Sequence, residues 1–387
     1  MSFDFDTLID RRATESSKWN AYPPDVLPMY VADMDFRSPE PVIQALQARV
    51  EHGIFGYPHE PPELRPTLLA RLEKLYGWKV EPEAIQFLPG VIISFNMACH
   101  AFASPGDSVL IQPPVYMPFF SAARNAKLVR QDNLLVQQAD GSFVIDFDDF
   151  EKAITPTTRV FILCNPHNPV GRVYRRDELE RMAEICLRHN VVICSDEIHC
   201  DLVYPGHPHL PIASLNPEIA SQTVTLMAPS KTFNIAGLDC SFAIIPDPEL
   251  RKKFDAARRG LVGGVNLFGL LGAQAAYKEG QPWLDALLIY LQANRDLVYD
   301  YIQKNLPGIH MVKSEGTYLA WLDCRQAGIP GNPYEFFLQR GRVAMNDGCA
   351  FGPGGNGFLR LNFGCPRSML LEGLERMRRA LETIHSS

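Results

Sequence analysis

A series of short apolar runs in the middle of the chain constrains its fold more than any other feature. Residues 109–111, 160–164, 191–194, 223–227 and 242–245 are rich in Val and Ile and too short for helices. Such runs read as strands buried on both faces. Between the second and third runs, residues 175–190 read RRDELERMAEICLRHN. There Leu179, Met182, Ala183 and Cys186 recur at i, i+3, i+4 and i+7, one face of a helix. Strand, helix and strand form a βαβ unit, with a right-handed crossover by default. The expected architecture is therefore α/β, a mostly parallel sheet sandwiched by helices. That architecture alone names no function.

The flanks differ. Residues 1–45 are irregular and proline-marked, with a helix expected to start near Pro39. Later the pattern becomes a long helix at 282–306, a strand at 317–322, a helix near 332–340, a strand at 358–362 and a closing helix at 366–385. We expect a large domain over 46–281, a smaller α+β domain over 282–387, and the 1–45 segment packing with the smaller one.

Composition narrows the function classes. The 387 residues carry 37 Lys and Arg against 44 Asp and Glu, a net charge of −7, with no basic stripe. Nucleic acid and anionic membranes are poor partners for such a chain. The most apolar long stretch, 261–277, is broken by four glycines, Asn266 and Gln274, so no membrane span is expected. The opening MSFDFDTLIDRR has acids at Asp4 and Asp6 and no apolar core, unlike a signal or transit peptide. Nine cysteines, scattered singly with no C-x-x-C pair, suit a reducing, cytoplasmic compartment.

Open α/β sheets bind ligands beyond the carboxyl ends of their strands. Asn165-Pro-His-Asn168-Pro-Val-Gly171 follows one expected strand, Asp196-Glu-Ile-His199 the next, and Ser230-Lys231-Thr-Phe-Asn234 the third. Each has an ordinary explanation on its own. A strand-end carboxylate usually caps a helix or pairs an ion, and a lone lysine is usually a solvated charge. In this order, an amide, a carboxylate and an amine suit one cofactor. Pyridoxal phosphate takes an amine at its aldehyde, a carboxylate at its ring nitrogen, a donor at its phenolate oxygen and backbone N–H groups at its phosphate. Phe87-Leu-Pro-Gly90-Val91-Ile92 offers the phosphate a strand end, a glycine turn and then a helix through 93–102.

The ordered set Gly90-Val91, Tyr116, Asn168-Pro-Val-Gly, Asp196-Glu-Ile-His, Ser230-Lys231 and Arg360 resembles the class I/II aminotransferase superfamily of fold type I. VADMDF at 31–36, GIFGYP at 53–58, PVYMPFF at 114–120, NPHNPVGR at 165–172, SDEIHCDL at 195–202, APSKTFNIAGL at 228–238 and FLRLNFGCP at 358–366 are similar, more closely, to the cystathionine β-lyase (C–S lyase) group of MalY/PatB type. The resemblance spans nearly the whole chain. It implies a seven-stranded sheet, pyridoxal 5'-phosphate as cofactor and a homodimer. It implies a catalytic set of Lys231, which binds the aldehyde and shuttles protons, Asp196, which faces the ring nitrogen, and Tyr116, which stacks on the ring. Asn168 would donate to the ring oxygen beside the substrate. Val91, Ile92 and Ser230 would hold the phosphate, and His199 would be a further cofactor contact. Arg360 would fork the substrate carboxylate. Tyr57 would reach cofactor and substrate from the neighbouring subunit.

Some positions depart from the aminotransferase pattern. His199 stands where many relatives carry Tyr, Ala228 where a phosphate-binding Ser is common, and Asp239 where an Arg often stands. An acid there must point away, or other groups must hold the phosphate. Tyr30 stands where MalY-type chains usually show Trp. The implied reaction is α,β-elimination of cystathionine and related cysteine thioethers to a thiol, pyruvate and ammonia. The same groups would serve an aminotransferase. A partner-binding regulator that retains the site is a third alternative.

Overall fold

The computed structural model describes residues 3–385. Its central sheet has seven strands: β1 (Ile85–Leu88), β2 (Ser108–Ile111), β3 (Val129–Asp132), β4 (Thr158–Cys164), β5 (Val192–Asp196), β6 (Thr223–Met227) and β7 (Ser241–Ile244). They lie in the order β1-β7-β6-β5-β4-β2-β3. β6, β5, β4, β2 and β3 run parallel, whereas β7 is antiparallel to both of its neighbours. All five strands expected from apolar runs are present.

The main helices are α1 (Glu40–His52), α2 (Val91–Phe102), α3 (Arg176–Arg188), α4 (Leu267–Glu279), α5 (Gln281–Asn305) and α6 (Arg367–His385). Alternate residues of β4 feed two different cores, as the period of two in a strand requires. Val160 and Ile162 pack with Phe95 and Ala98 of α2. Phe161 and Leu163 pack with Leu179, Met182 and Cys186 of α3. The sheet is thus covered on both faces, and its inner strands need no polar side. β2 and β6 are buried at every residue.

A second sheet is formed by β8 (Leu319–Asp323), β9 (Asn346–Asp347) and β10 (Phe358–Asn362), in the antiparallel order β8-β10-β9. Near the amino terminus, Leu27–Pro28 pairs in parallel with Val343–Ala344. The strand expected at 317–322 begins two residues late. Thr317 has φ +69, in the left-handed region where an extended strand cannot run. The helix expected near 332–340 is one α turn, Pro333–Phe336, followed by a wider turn, Phe337–Gly341. It ends at Arg342, whose φ is 52. The helix expected at 93–102 starts earlier, at Val91. Among the described residues, no helix is long and apolar enough to cross a membrane. The nine cysteines are free, and only Cys349 is exposed.

Candidate active site

Strand register brings the chemistry together. Cys164 pairs with Asp196, and Asp196 with Leu226, so β4, β5 and β6 end level with one another. The segments that follow carry Asn168, His199 and Lys231 over one rim. A cavity of about 350 Å³ opens there, within the range of ~300–1,000 Å³ usual for small-molecule sites. Val91, Ile92, Tyr116, Asn168, Asp196, His199, Ser230 and Lys231 all line it.

Asp196 sits at the buried end of β5. One backbone donor, the Ile198 N–H at 3.2 Å, supports its carboxylate, and no ion pair joins it to a cation among the described residues. Burial pushes its pKa up to about 7, against the pull of that N–H and of Lys231. Lys231 lies in the short helical turn Pro229–Thr232. Burial pushes its amine down to about 8, while Asp33 and Asp196 pull it up. The amine donates to the Ala32 carbonyl oxygen at 2.7 Å.

Arg360, on β10, is buried and has only neutral acceptors: Asn168 Oδ1 at 2.8 Å, Asn346 Oδ1 at 2.7 Å and the Tyr30 carbonyl at 3.1 Å. Its Nε has no partner, and burial lowers its pKa to about 10. Arg360 is not itself among the residues lining the cavity; it meets the cavity through Asn168, which is. The Asn168 oxygen is taken by Arg360, which leaves its amide N–H groups for a ligand. Burial, helped by the nearby charges of Lys231 and Arg360, pushes the His199 pKa down to about 3, so its ring is neutral. Its Nδ1 has no partner.

The opposite wall is the amino terminus of α2. Gly90 precedes it, and no side chain caps it. A Cβ at Gly90 would meet open space within 4 Å. Free N–H groups at the start of a 12-residue helix make a seat for a phosphate. Ser230 adds a hydroxyl on the same cavity. Ala228 and Asp239 also line it. An Asp tolerates its φ of 51 better than most residues. Tyr57 is not among the lining residues; its ring is fully exposed on the 53–58 loop.

These donors fit pyridoxal phosphate. The buried Asp196 lacks a cation that a protonated ring nitrogen would supply, the uncapped helix lacks an anion, and Lys231 offers an amine between them. Comparison with known proteins agrees. The family model of aminotransferase class I and II matches residues 24–377. The chain belongs to that family. It is 43% identical to cystathionine beta-lyase PatB of Bacillus subtilis, over 98% of this chain and 100% of PatB. The crystal structure of OvoB superposes with a TM-score of 0.93 at 44% identity, covering 98% of this chain and 99% of that one. Cystalysin from Treponema denticola, solved with pyridoxal 5'-phosphate, superposes with a TM-score of 0.95 at 34% identity, covering 99% and 100%.

Several contacts in the site carried no expectation from the sequence. Ala32 lines the cavity, and the carbonyls of the Tyr30–Phe36 segment around it accept from Arg360, Asn362, Tyr318, Lys231 and Asn234. Asn362, Asn234 and residues 31–36 lie inside quoted motifs, yet nothing in their spacing assigns the side chains to backbone oxygens.

Proposed function

We propose that this protein is a pyridoxal-phosphate-dependent carbon–sulfur β-lyase. It converts cystathionine, or a related cysteine thioether, and one water into a thiol, pyruvate and ammonium. The observation that carries this reading is the full-length match, at 43% identity, to cystathionine beta-lyase PatB. The cavity that brings Lys231, Asp196 and Asn168 together supports it.

The bound cofactor supplies an electron sink for the negative charge that develops at Cα. The chain does the rest. Arg360 takes the substrate's α-carboxylate with a planar fork, which fixes orientation as well as charge. Asn168 holds Arg360 on one side and donates into the cavity on the other. Lys231 takes the Cα proton, and the burial that lowers its pKa favours the neutral amine this needs. Asp196 would hold the proton on the ring nitrogen. Tyr116 would cover a ring face, and the α2 amino terminus with Ser230 would hold the phosphate.

The outcome at Cα decides the reaction class. The purified holoenzyme with cystathionine, and no keto acid, should release pyruvate and homocysteine through many turnovers. Turnover that stops after one equivalent and resumes only with a keto acid would make the protein an aminotransferase.

Two further parts of the reading are proposals. The protein acts as a homodimer in which Tyr57 enters the neighbouring site; the exposure of Ile54, Phe55 and Tyr57 on one loop supports this. The chain divides into 1–45, 46–281 and 282–387, the first packing with the last; the pairing of Leu27–Pro28 with Val343–Ala344 supports this. Nine free cysteines favour a cytoplasmic setting.

A further inference from the structure

The lysine of this site rests on a backbone oxygen rather than a carboxylate. Lys231 Nζ donates to the Ala32 carbonyl at 2.7 Å, and the Tyr318 hydroxyl donates to the same oxygen at 2.8 Å. Ala32 lies on a strap over 30–36 whose carbonyls are bound one by one by side chains. Arg360 binds Tyr30, Asn362 binds Val31 and Asp33, and Asn234 binds Met34 and Phe36. Behind the strap, Arg11 and Lys18 pair with Asp33 and Asp35. The Ala32 oxygen is therefore a fixed point.

Tyr318 is aimed at that point by a strained backbone. Thr317 is β-branched and has φ +69, a conformation that persists only where its surroundings impose it. Here they do. The Thr317 N–H donates to the Leu202 carbonyl at 2.7 Å, and its own carbonyl accepts from the Tyr204 hydroxyl at 2.7 Å. Its Oγ1 accepts from the Leu319 N–H at 3.2 Å. The left-handed turn delays β8 and leaves Tyr318 fully buried, its ring edge-on to His199 at 6.1 Å.

We infer that Tyr318 is a positioning residue for Lys231, acting through the shared Ala32 carbonyl. A neutral amine has two N–H donors and one lone pair. Giving an N–H to a fixed carbonyl orients the amine and leaves the lone pair to take a proton. A carbonyl already bound by a phenol is a weaker acceptor, so it favours the ammonium form less than an undivided one would. The other charged groups acting on Lys231 are Asp33 and Asp196, which favour the ammonium, and Arg360, which opposes it. The neutral His199 ring lies beside them. The inference rests on the lyase reading only in taking Lys231 as the amine that moves the proton.

The test reads Lys231 with and without the cofactor. In the full chain stripped of cofactor, acetic anhydride labelling of Lys231 is followed by mass spectrometry across pH. Tyr318→Phe leaves the carbonyl undivided and should raise the labelling midpoint by on the order of half a pH unit. Placing 3-fluorotyrosine at 318, a stronger donor of nearly the same shape, should lower it. In the holoenzyme, Tyr318→Phe should cut kcat on cystathionine by about tenfold or more, with a much smaller change in KM. The acid limb of the kcat profile should move to higher pH. An unmoved midpoint in both substitutions, or equal losses in kcat and cofactor loading with no pH shift, would overturn the inference. Failure of the wild type to turn over cystathionine would defeat the lyase reading and leave the labelling result to stand.

Discussion

At the scale of single residues, Asp196 carries the clearest physical signature. Its carboxyl is buried with one backbone donor, and its pKa rises from 3.8 to about 7. Between those values the folded, cofactor-free chain binds more protons than the unfolded chain. Its contribution to stability is thus full below pH 4 and is lost as pH rises through 7. Removing the titration should show this. In the cofactor-free chain, the stability of wild type relative to Asp196→Asn should fall between pH 4 and 7, read by urea unfolding. A flat difference would mean that the carboxyl is not held in this environment. In the holoenzyme the same substitution should cost on the order of 10²–10³ in rate. Asp196, Asn168 and Lys231 were legible because each directly follows a recognisable buried strand. Tyr318 was not. The sequence Thr317-Tyr-Leu-Ala-Trp-Leu322 reads as extended, and only the clamp by Leu202 and Tyr204, distant in sequence, turns Thr317 left-handed. Ala32 acts through its backbone and has no side-chain signature at all.

At the scale of elements, buried strands were legible and the edge was not. β3, Val129–Asp132, exposes its first two residues and carries no apolar run, so periodicity had nothing to detect. The strap over 30–36 is harder still, because it has no ladder and most of its carbonyls are held by side chains from elsewhere. Asn362 is its main lock. Its Nδ2 donates to the Val31 and Asp33 carbonyls at 2.6 and 2.7 Å, and its Oδ1 accepts from the Gly364 N–H at 2.7 Å. Asn362→Leu would keep the volume and strip those partners. An unmet buried polar group costs roughly 1–3 kcal/mol. The substitution should therefore lower unfolding free energy by about 1–3 kcal/mol in urea, the cost of the unmet Gly364 N–H, since the Val31 carbonyl keeps the Asp33 N–H and the Asp33 carbonyl keeps Lys18. KM for cystathionine should rise as well, because the loosened strap no longer presents Tyr30 to Arg360. A loss below about 0.5 kcal/mol, in the range of ordinary surface substitutions, would mean that water satisfies the strap instead.

At the scale of the whole molecule, the chain leaves one apolar, aromatic loop uncovered. The loop at 53–58 projects Ile54, Phe55 and Tyr57 outward, and Leu261 is exposed as well. Phe55 lies 5.8 Å from Phe268 on α4, so the loop is held against its own chain while its tip is bare. An apolar, aromatic surface of this kind marks a contact with another molecule, and a second copy of this chain would cover it through a twofold axis. The phosphate wall adds a reason. If the phosphate sits on the α2 amino terminus as proposed, the cavity offers it N–H groups and Ser230, and a further donor from outside the chain would add to them. The proposed dimer supplies Tyr57 as that donor. Complementation tests the sharing directly. Tyr57→Phe and Lys231→Ala should each lose most turnover when assembled alone. If every site takes Lys231 from one chain and Tyr57 from the other, a hybrid dimer holds one site with both defects and one with neither. Random mixing should then restore activity at about a quarter of all sites, half of the dimers being hybrid with one intact site each. If Tyr57 served its own chain, every site in the hybrid would keep one defect and mixing would restore nothing. Hybrids verified by native mass spectrometry with no recovered turnover would therefore return Tyr57 to a role outside the site.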